Sequence, residues 1–392
     1  MSNEQTETPQ VVRGLEGIYV ATTEISRVDG ENGRLYYRGY DIQDLEANGD
    51  FERTAYLLWY GRLPHDQEHE NFRRHLVNYR FLPENLIKML PLFPQGTLPI
   101  TAIRTFVSAL SAWDPWAEDN SREAELENAM RLTSGIAVLT AKVHRVSIGR
   151  EIVEPRLDLD HASNFLYMFN GEDPTPEAAQ AMNSFLTLYA DHGFNASTFT
   201  ARVTASTLSD MYSAVTAALG ALKGPLHGGA MAAAMRQFQE IGDPDRVDAW
   251  FEQAMAEKRR IMGIGHRVYK TLDPRARILR RRAQALAAQS NEPHWFEIAE
   301  RLAQRASEHP YFQERRLYPN VDYYGSLVVY YLGIPVNMDT IMFALSRISG
   351  WAAHVLEQHA DNRLIRPRAL YVGPDPRPYV PPRADLPSHR FA

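Results

Sequence analysis

Gly224-Pro225-Leu226-His227-Gly228-Gly229-Ala230, Gly263-Ile264-Gly265-His266-Arg267-Val268-Tyr269-Lys270 and Pro319-Asn320-Val321-Asp322-Tyr323-Tyr324-Gly325 are the three stretches on which the reading of this chain turns. Two present a histidine beside glycine and the third an aspartate close to one, all within about a hundred residues. Glycine lacks a Cβ, so such loops turn sharply and let a ligand approach the main chain. Histidine titrates near neutrality, and burial can tune a carboxylate into a base. Two imidazoles and a carboxylate presented in this way suit proton transfer at a carbon beside a carbonyl.

Working outward, the 392 residues are enough for a large core and two domains. Hydrophobic residues make up 44% and charged residues 23%, the balance of a globular chain in water. The net charge of −6 supplies no general basic field for nucleic acid. With no cysteine, disulfides, thiolate catalysis and cysteine-ligated metals are excluded. Residues 1–10 are polar and acidic and read as a disordered tail rather than a signal peptide. No run of eighteen or more apolar residues appears, so no membrane span is expected, and a cytoplasmic location is.

Short apolar runs broken by glycine from Gly14 to Tyr40, such as 17–22 and 35–39, predict a few strands and turns. Beyond Asp41 the period becomes helical: Phe51, Ala55, Leu58 and Trp59 fall on one face, and Gly61 with Pro64 ends that element. Further helices are expected over 178–191, 198–219, 246–260, 276–289 and 338–360. The class is mainly α with a small N-terminal β element. The Pro- and Arg-rich stretch 366–392 is expected to lie extended on a surface. Neither a solenoid repeat nor a glycine-rich nucleotide loop is present, so ATP and NAD are not indicated.

Each candidate has a structural reading beside the chemical one. His227 precedes a helical stretch, whose dipole would keep the ring neutral and able to donate to a developing enolate oxygen; it could instead cap that helix. His266 lies among Arg267, Lys270 and Arg275, a cluster suited to carboxylates or phosphates but also to a solvated loop. Asp322 alone would most often be an N-cap. His192, in Asp191-His192-Gly193-Phe194-Asn195, could contact a substrate or merely its neighbours. Arg347 sits among Phe343, Leu345, Ile348 and Trp351, where a guanidinium needs a partner. Arg366, near Arg363 and Arg368, reads more simply as a surface charge. His65, Glu68 and His69 do not match a zinc-binding pattern, and no metal is expected.

The three opening stretches, with Tyr37-Arg38-Gly39-Tyr40-Asp41-Ile42, Asp191-His192-Gly193-Phe194-Asn195-Ala196-Ser197 and Arg366-Pro367-Arg368-Ala369-Leu370-Tyr371-Val372-Gly373, closely resemble the citrate synthase family over nearly the whole chain. The resemblance implies a citrate synthase-like two-domain helical fold and a homodimer. It implies a large domain from 1–227 and 328–392, the latter with a C-terminal arm, and a small domain over 228–327. The cleft would close on oxaloacetate and an acyl-CoA, with no cofactor and no metal. His227 and Asp322 would act on the acyl group, and His266 on the ketone. His192, Arg275 and Arg347 would hold oxaloacetate, Arg366 would reach in from the second subunit, and Arg267 with Lys270 would lie near the CoA phosphates. Within the family, 2-methylcitrate synthase, which takes propionyl-CoA, is the rival reading. A non-catalytic paralogue binding a dicarboxylate or CoA is a weaker one.

Overall fold

The structure, a computed structural model, describes residues 11–379. The chain divides into two units, one holding its terminal segments (11–22 and 365–379 among the described residues) and the other Thr23–Leu364. Among the described residues of the terminal unit, only a single short turn of helix, Arg13–Leu15, is regular. The expected strand over 17–22 does not form; among the described residues that stretch belongs to no sheet, and Tyr19 is fully solvated. The stretch 366–379 carries no helix or strand and is exposed. The expected N-terminal tail, 1–10, and the last residues of the arm, 380–392, lie outside the described residues.

The larger unit opens with a three-stranded antiparallel sheet, β1 (Ser26–Asp29), β2 (Arg34–Tyr37) and β3 (Tyr40–Asp41), paired in the order of the chain. Apart from one isolated bridge between Ile264 and Pro319, the regular elements after it are helices among the described residues. Helices α1 to α5 are Ile42–Asn48, Phe51–Tyr60, Asp66–Asn78, Glu84–Ile87 and Pro99–Leu110; α6 to α10 are Arg122–Ser147, His161–Asn170, Pro176–Tyr189, Ala196–Ala205 and Met211–Leu222. Helices α11 to α14 are Ala230–Ile241, Val247–Ala256, Pro274–Ala287 and His294–Glu308; α15 to α17 are Pro310–Glu314, Val321–Tyr331 and Asp339–Ala360. The boundaries are set by polar side chains accepting from first-turn N–H groups: Thr175 starts α8, Asn195 α9, Asp210 α10, Asp273 α13 and Asn320 α16.

One sequence expectation changes here, and one long helix appears where none was expected. The helix expected over 198–219 is two, α9 and α10, because Leu208 takes a left-handed φ of 64° and Asp210 caps a new start on Ser213 N–H. The 26-residue α6 had no distinct amphipathic stripe to announce it: Ala129, Ser134, Gly135, Ala137 and Ala141 are buried alongside its large residues, so it is covered nearly all round. The second long core element, α17, runs through the same apolar cluster with Ile341, Leu345, Ile348, Trp351 and Val355 all buried.

The turn joining α8 to α9 rests directly on α17. A Cβ on Gly350 would stand 2.6 Å from Asp191 Oδ1 and closer still to Ala190 O, so the helix and turn meet only because that position is bare. Gly350→Ala is expected to destabilise the protein by about 1–3 kcal/mol, as overpacking of a close-packed interior does, and to displace His192. Thermal melting of the variant checks this; an unchanged Tm would mean that the turn yields freely.

Candidate active site

Ser197 is the second residue of α9, and its backbone N–H is one of the helix's unpaired donors. That N–H donates to His227 Nε2 over 3.3 Å, and Ser197 Oγ lies 2.8 Å from the same nitrogen. Trp351 Nε1–H in turn donates to Ser197 Oγ at 3.1 Å. A nitrogen that accepts an amide proton carries none of its own, so the neutral ring of His227 bears its proton on Nδ1. Burial, reinforced by the charge of Arg347, pushes His227 down to about 4. The helix terminus aimed at His227 is therefore that of α9, and not the one expected from sequence. The following helix, α11, is capped by Gly229 without any side-chain bond.

His266 carries the opposite tautomer. Its Nδ1 accepts from the N–H groups of Val268 (3.0 Å) and Tyr269 (3.1 Å), which leaves Nε2 as the donor. Burial, and then the Arg275 and Lys270 charges, hold it near 4, although Asp273 pulls the other way. The ring of His192 lies 5.3 Å from that of His266, and His192 Nε2 is 3.2 Å from Tyr269 Oη. Burial and the Arg275 charge drive His192 well below its ordinary range. Above pH ~6 all three rings are neutral.

Asp322 is the second residue of α16, and it is Asn320, not Asp322, that caps the helix. Burial raises the Asp322 carboxyl to about 6, against the pull of Arg275, the Tyr189 hydroxyl and Arg347. Arg347 is 1% exposed; its Nε donates to Tyr189 O at 2.8 Å and its guanidinium lies 4.6 Å from the centre of the Phe343 ring. Phe343 also packs edge-on to His227 (5.9 Å) and to Tyr189 (5.3 Å), so one aromatic ring joins His227 to the Tyr189 that holds Asp322. Arg275 is equally buried but already gripped by Asp273, Nε to Oδ1 at 3.0 Å and Nη2 to Oδ2 at 2.8 Å, which leaves Nη1 for a ligand.

The structure thus gathers His227, His266, Asp322, His192, Arg275 and Arg347 into one region. Arg267 and Lys270 are on the exposed side of the His266 loop. Arg366 belongs to the terminal unit and is exposed. His65 and His69 serve elsewhere: Glu68 accepts from the His65 N–H at the start of α3, and His69 Nε2 sits 3.2 Å from Asp50. Among the described residues no cluster of three metal-ligating side chains occurs, and no helix is long and apolar enough to cross a membrane. Sequence reasoning passed over Ser197, Tyr269, Asp273 and Tyr189, which bind the key side chains from behind. Only Asp273 left a local signal, a carboxylate placed before Pro274-Arg275 where a helix cap belongs.

Fixed donors at Nδ1 and Nε2, a carboxylate that holds its proton up to about 6, and two buried guanidiniums suit one kind of work: moving protons beside a carbonyl on an anionic substrate. The class is an acid–base enzyme on a helical scaffold. A family model described as "Citrate synthase, C-terminal domain" matches residues 14–368, and the chain belongs to the citrate synthase family. The citrate synthase of Haloferax volcanii is 44% identical over 377 residues, 95% of this chain and 98% of that protein. The 2-methylcitrate synthase of Mycobacterium tuberculosis is 39% identical over 371 residues, 95% of this chain and 93% of the other. The solved citrate synthase of the archaeon Thermoplasma acidophilum, a ternary complex with carboxymethyl coenzyme A and oxaloacetate, is 38% identical and superimposes with a TM-score of 0.89 over 95% of this chain and 99% of that one.

Proposed function

We infer that this chain is a citrate synthase, an acyltransferase that condenses acetyl-CoA with oxaloacetate and water to give citrate and CoA. The observation that carries the mechanism is the pairing of a raised carboxyl, Asp322, with an imidazole, His227, whose proton is fixed on Nδ1. A thioester methyl is a very weak acid, so its deprotonation needs the developing enolate oxygen to be met by a donor as the base works. Asp322 takes the methyl proton and His227 Nδ1–H donates to the thioester oxygen. The enol carbon attacks the oxaloacetate ketone, whose oxygen receives the Nε2 proton of His266. Arg347 and the free Nη1 of Arg275 neutralise the dicarboxylate, His192 donates to it, and orientation lowers the entropic barrier. Water then hydrolyses the citryl thioester, releasing CoA.

This reading extends to parts of the assembly. The large domain, 1–227 with 328–392, and the small one, 228–327, close over oxaloacetate and exclude water from the enol. The protein works as a cytoplasmic homodimer, Arg366 serving the second subunit's site, and Arg267 with Lys270 receive the CoA phosphates. The reaction itself needs no further cofactor.

The resemblance to a 2-methylcitrate synthase keeps propionyl-CoA as a second candidate. One methylene is worth only about 1–3 kcal/mol of discrimination in an apolar pocket. Thiol release measured with oxaloacetate and each acyl-CoA decides between them. A higher kcat/KM for acetyl-CoA is expected, a preference for propionyl-CoA would transfer the assignment, and release with neither would leave only a binding protein.

A further inference from the structure

Tyr189, the last residue of α8, has no part in the scheme above, yet it touches both halves of it. Its side chain is completely buried, and its hydroxyl lies 3.2 Å from Asp322 Oδ1 and 3.0 Å from Val321 O. Its own carbonyl accepts from Arg347 Nε at 2.8 Å. The ring is clamped by Phe185, stacked at 4.4 Å, and by the edge of Phe343. We propose that Tyr189 is the positioning residue of the base, its phenol holding the Asp322 carboxylate while its main chain holds Arg347.

Gly325 gives the contact a second, independent footing. It stands in the interior of α16, where glycine is destabilising by roughly 0.5–1 kcal/mol relative to alanine. A Cβ there would overlap Tyr189 Oη outright and come within 3.3 Å of its ring carbon Cζ. The helix gives up a side chain at the one place where the hydroxyl has to enter.

The hydroxyl has one proton and two oxygen acceptors in reach, with the weaker Met231 Sδ a third at 4.0 Å. While Asp322 is ionised the proton goes to the carboxylate, since a charged acceptor binds it more strongly than a neutral carbonyl. Once Asp322 has taken the substrate proton, the same hydroxyl turns to Val321 O. Tyr189 itself stays protonated, because burial and the neighbouring Asp322 charge raise it well above its ordinary range. The other groups facing Asp322 are Arg275 and Asp273 from the start of α13 and Arg347 and Asp339 from α17. From α11, Arg236 faces Asp339, and Glu300 of α14 is engaged on the opposite side of α16 with Tyr324. None of these changes in Tyr189→Phe.

The inference rests on Asp322 being the base, so its test needs a readout that does not depend on turnover. In Tyr189→Phe the carboxylate loses a donor, and its affinity for a proton must rise. The ¹³C carboxyl resonance of Asp322, assigned by its absence in Asp322→Asn, is expected to titrate at higher pH in Tyr189→Phe than in the parent. The acid limb of kcat should move the same way, by about one pH unit, with kcat on the plateau about ten-fold lower and KM for oxaloacetate nearly unchanged. Gly325→Ala should be strongly impaired in the parent and much less so in the Tyr189→Phe background, where no hydroxyl remains to collide. A carboxyl titration that does not move in Tyr189→Phe overturns the proposal. Failure of the condensation reading would show instead as absent thiol release in the parent, with the resonance shift still present.

Discussion

Asp322→Asn is expected to lower kcat for thiol release by about 10²–10⁴-fold while oxaloacetate binds with nearly its parent affinity. The amide preserves the shape of the side chain and can still accept from Tyr189, but it cannot take a proton. The groups assigned to the dicarboxylate, Arg275, Arg347 and His192, are held by their own partners and do not depend on Asp322. Calorimetry with oxaloacetate beside a steady-state assay separates the two effects, and a near-normal kcat would remove Asp322 from the base role. In the parent, activity should rise through about pH 6 with the slope of a single proton, because Asp322 must be ionised to act. His227 and His266, pushed down to about 4, have already lost their charge in that range.

The same carboxyl makes the site a weak point in the fold. Its value in the folded chain, about 6, lies above the 3.8 of an unstructured aspartate, so the native state holds this proton more tightly than the unfolded one does. Such a group leaves stability untouched below about pH 4 and removes it as pH rises through 6. At pH 8 the loss is at most about 3 kcal/mol, reduced to about 1–2 kcal/mol because the half-buried side chain is partly screened. Asp322→Asn should therefore melt at a higher temperature than the parent at pH 8, and the difference should shrink toward pH 5. Activity and stability are expected to change in opposite directions on one substitution.

Several helices, α2, α8, α12, α13 and α17 among them, and the three chemical stretches were legible in the sequence because each rests on local signals. Apolar spacing such as Phe51, Ala55 and Leu58, and the stop at Gly61 with Pro64, are written into neighbouring residues. The support behind the site was not legible, because it is made between distant segments. Ser197 fixes the tautomer of His227 across 30 residues, and Tyr189 reaches Asp322 across 133. The error over the helix dipole at His227 is of the same kind. Sequence adjacency pointed to α11, while folding delivered α9, whose first-turn N–H groups arrive from another part of the chain. Gly325 and Gly350 look in the sequence like faults in otherwise good helices, and only packing shows what each makes room for.

Opposite tautomers at His227 and His266 lead to an ordering of variants that runs in opposite directions at the two positions. An asparagine side chain places its NH₂ near where Nδ1 of a histidine lies, and a glutamine places it near Nε2. His227→Ala should lower kcat by about 10²–10³-fold, the usual effect of deleting a donor to a developing oxyanion. His227→Asn is expected to keep about ten-fold more activity than His227→Gln, since the donor needed there is the one at Nδ1. At the second position His266→Gln should exceed His266→Asn, because Val268 and Tyr269 already occupy Nδ1 and the working proton is on Nε2. ¹⁵N spectra of the parent provide a check free of kinetics, with the unprotonated signal on Nε2 for His227 and on Nδ1 for His266. The same order of amide variants at both positions would show that these rings act through their bulk rather than through a directed proton.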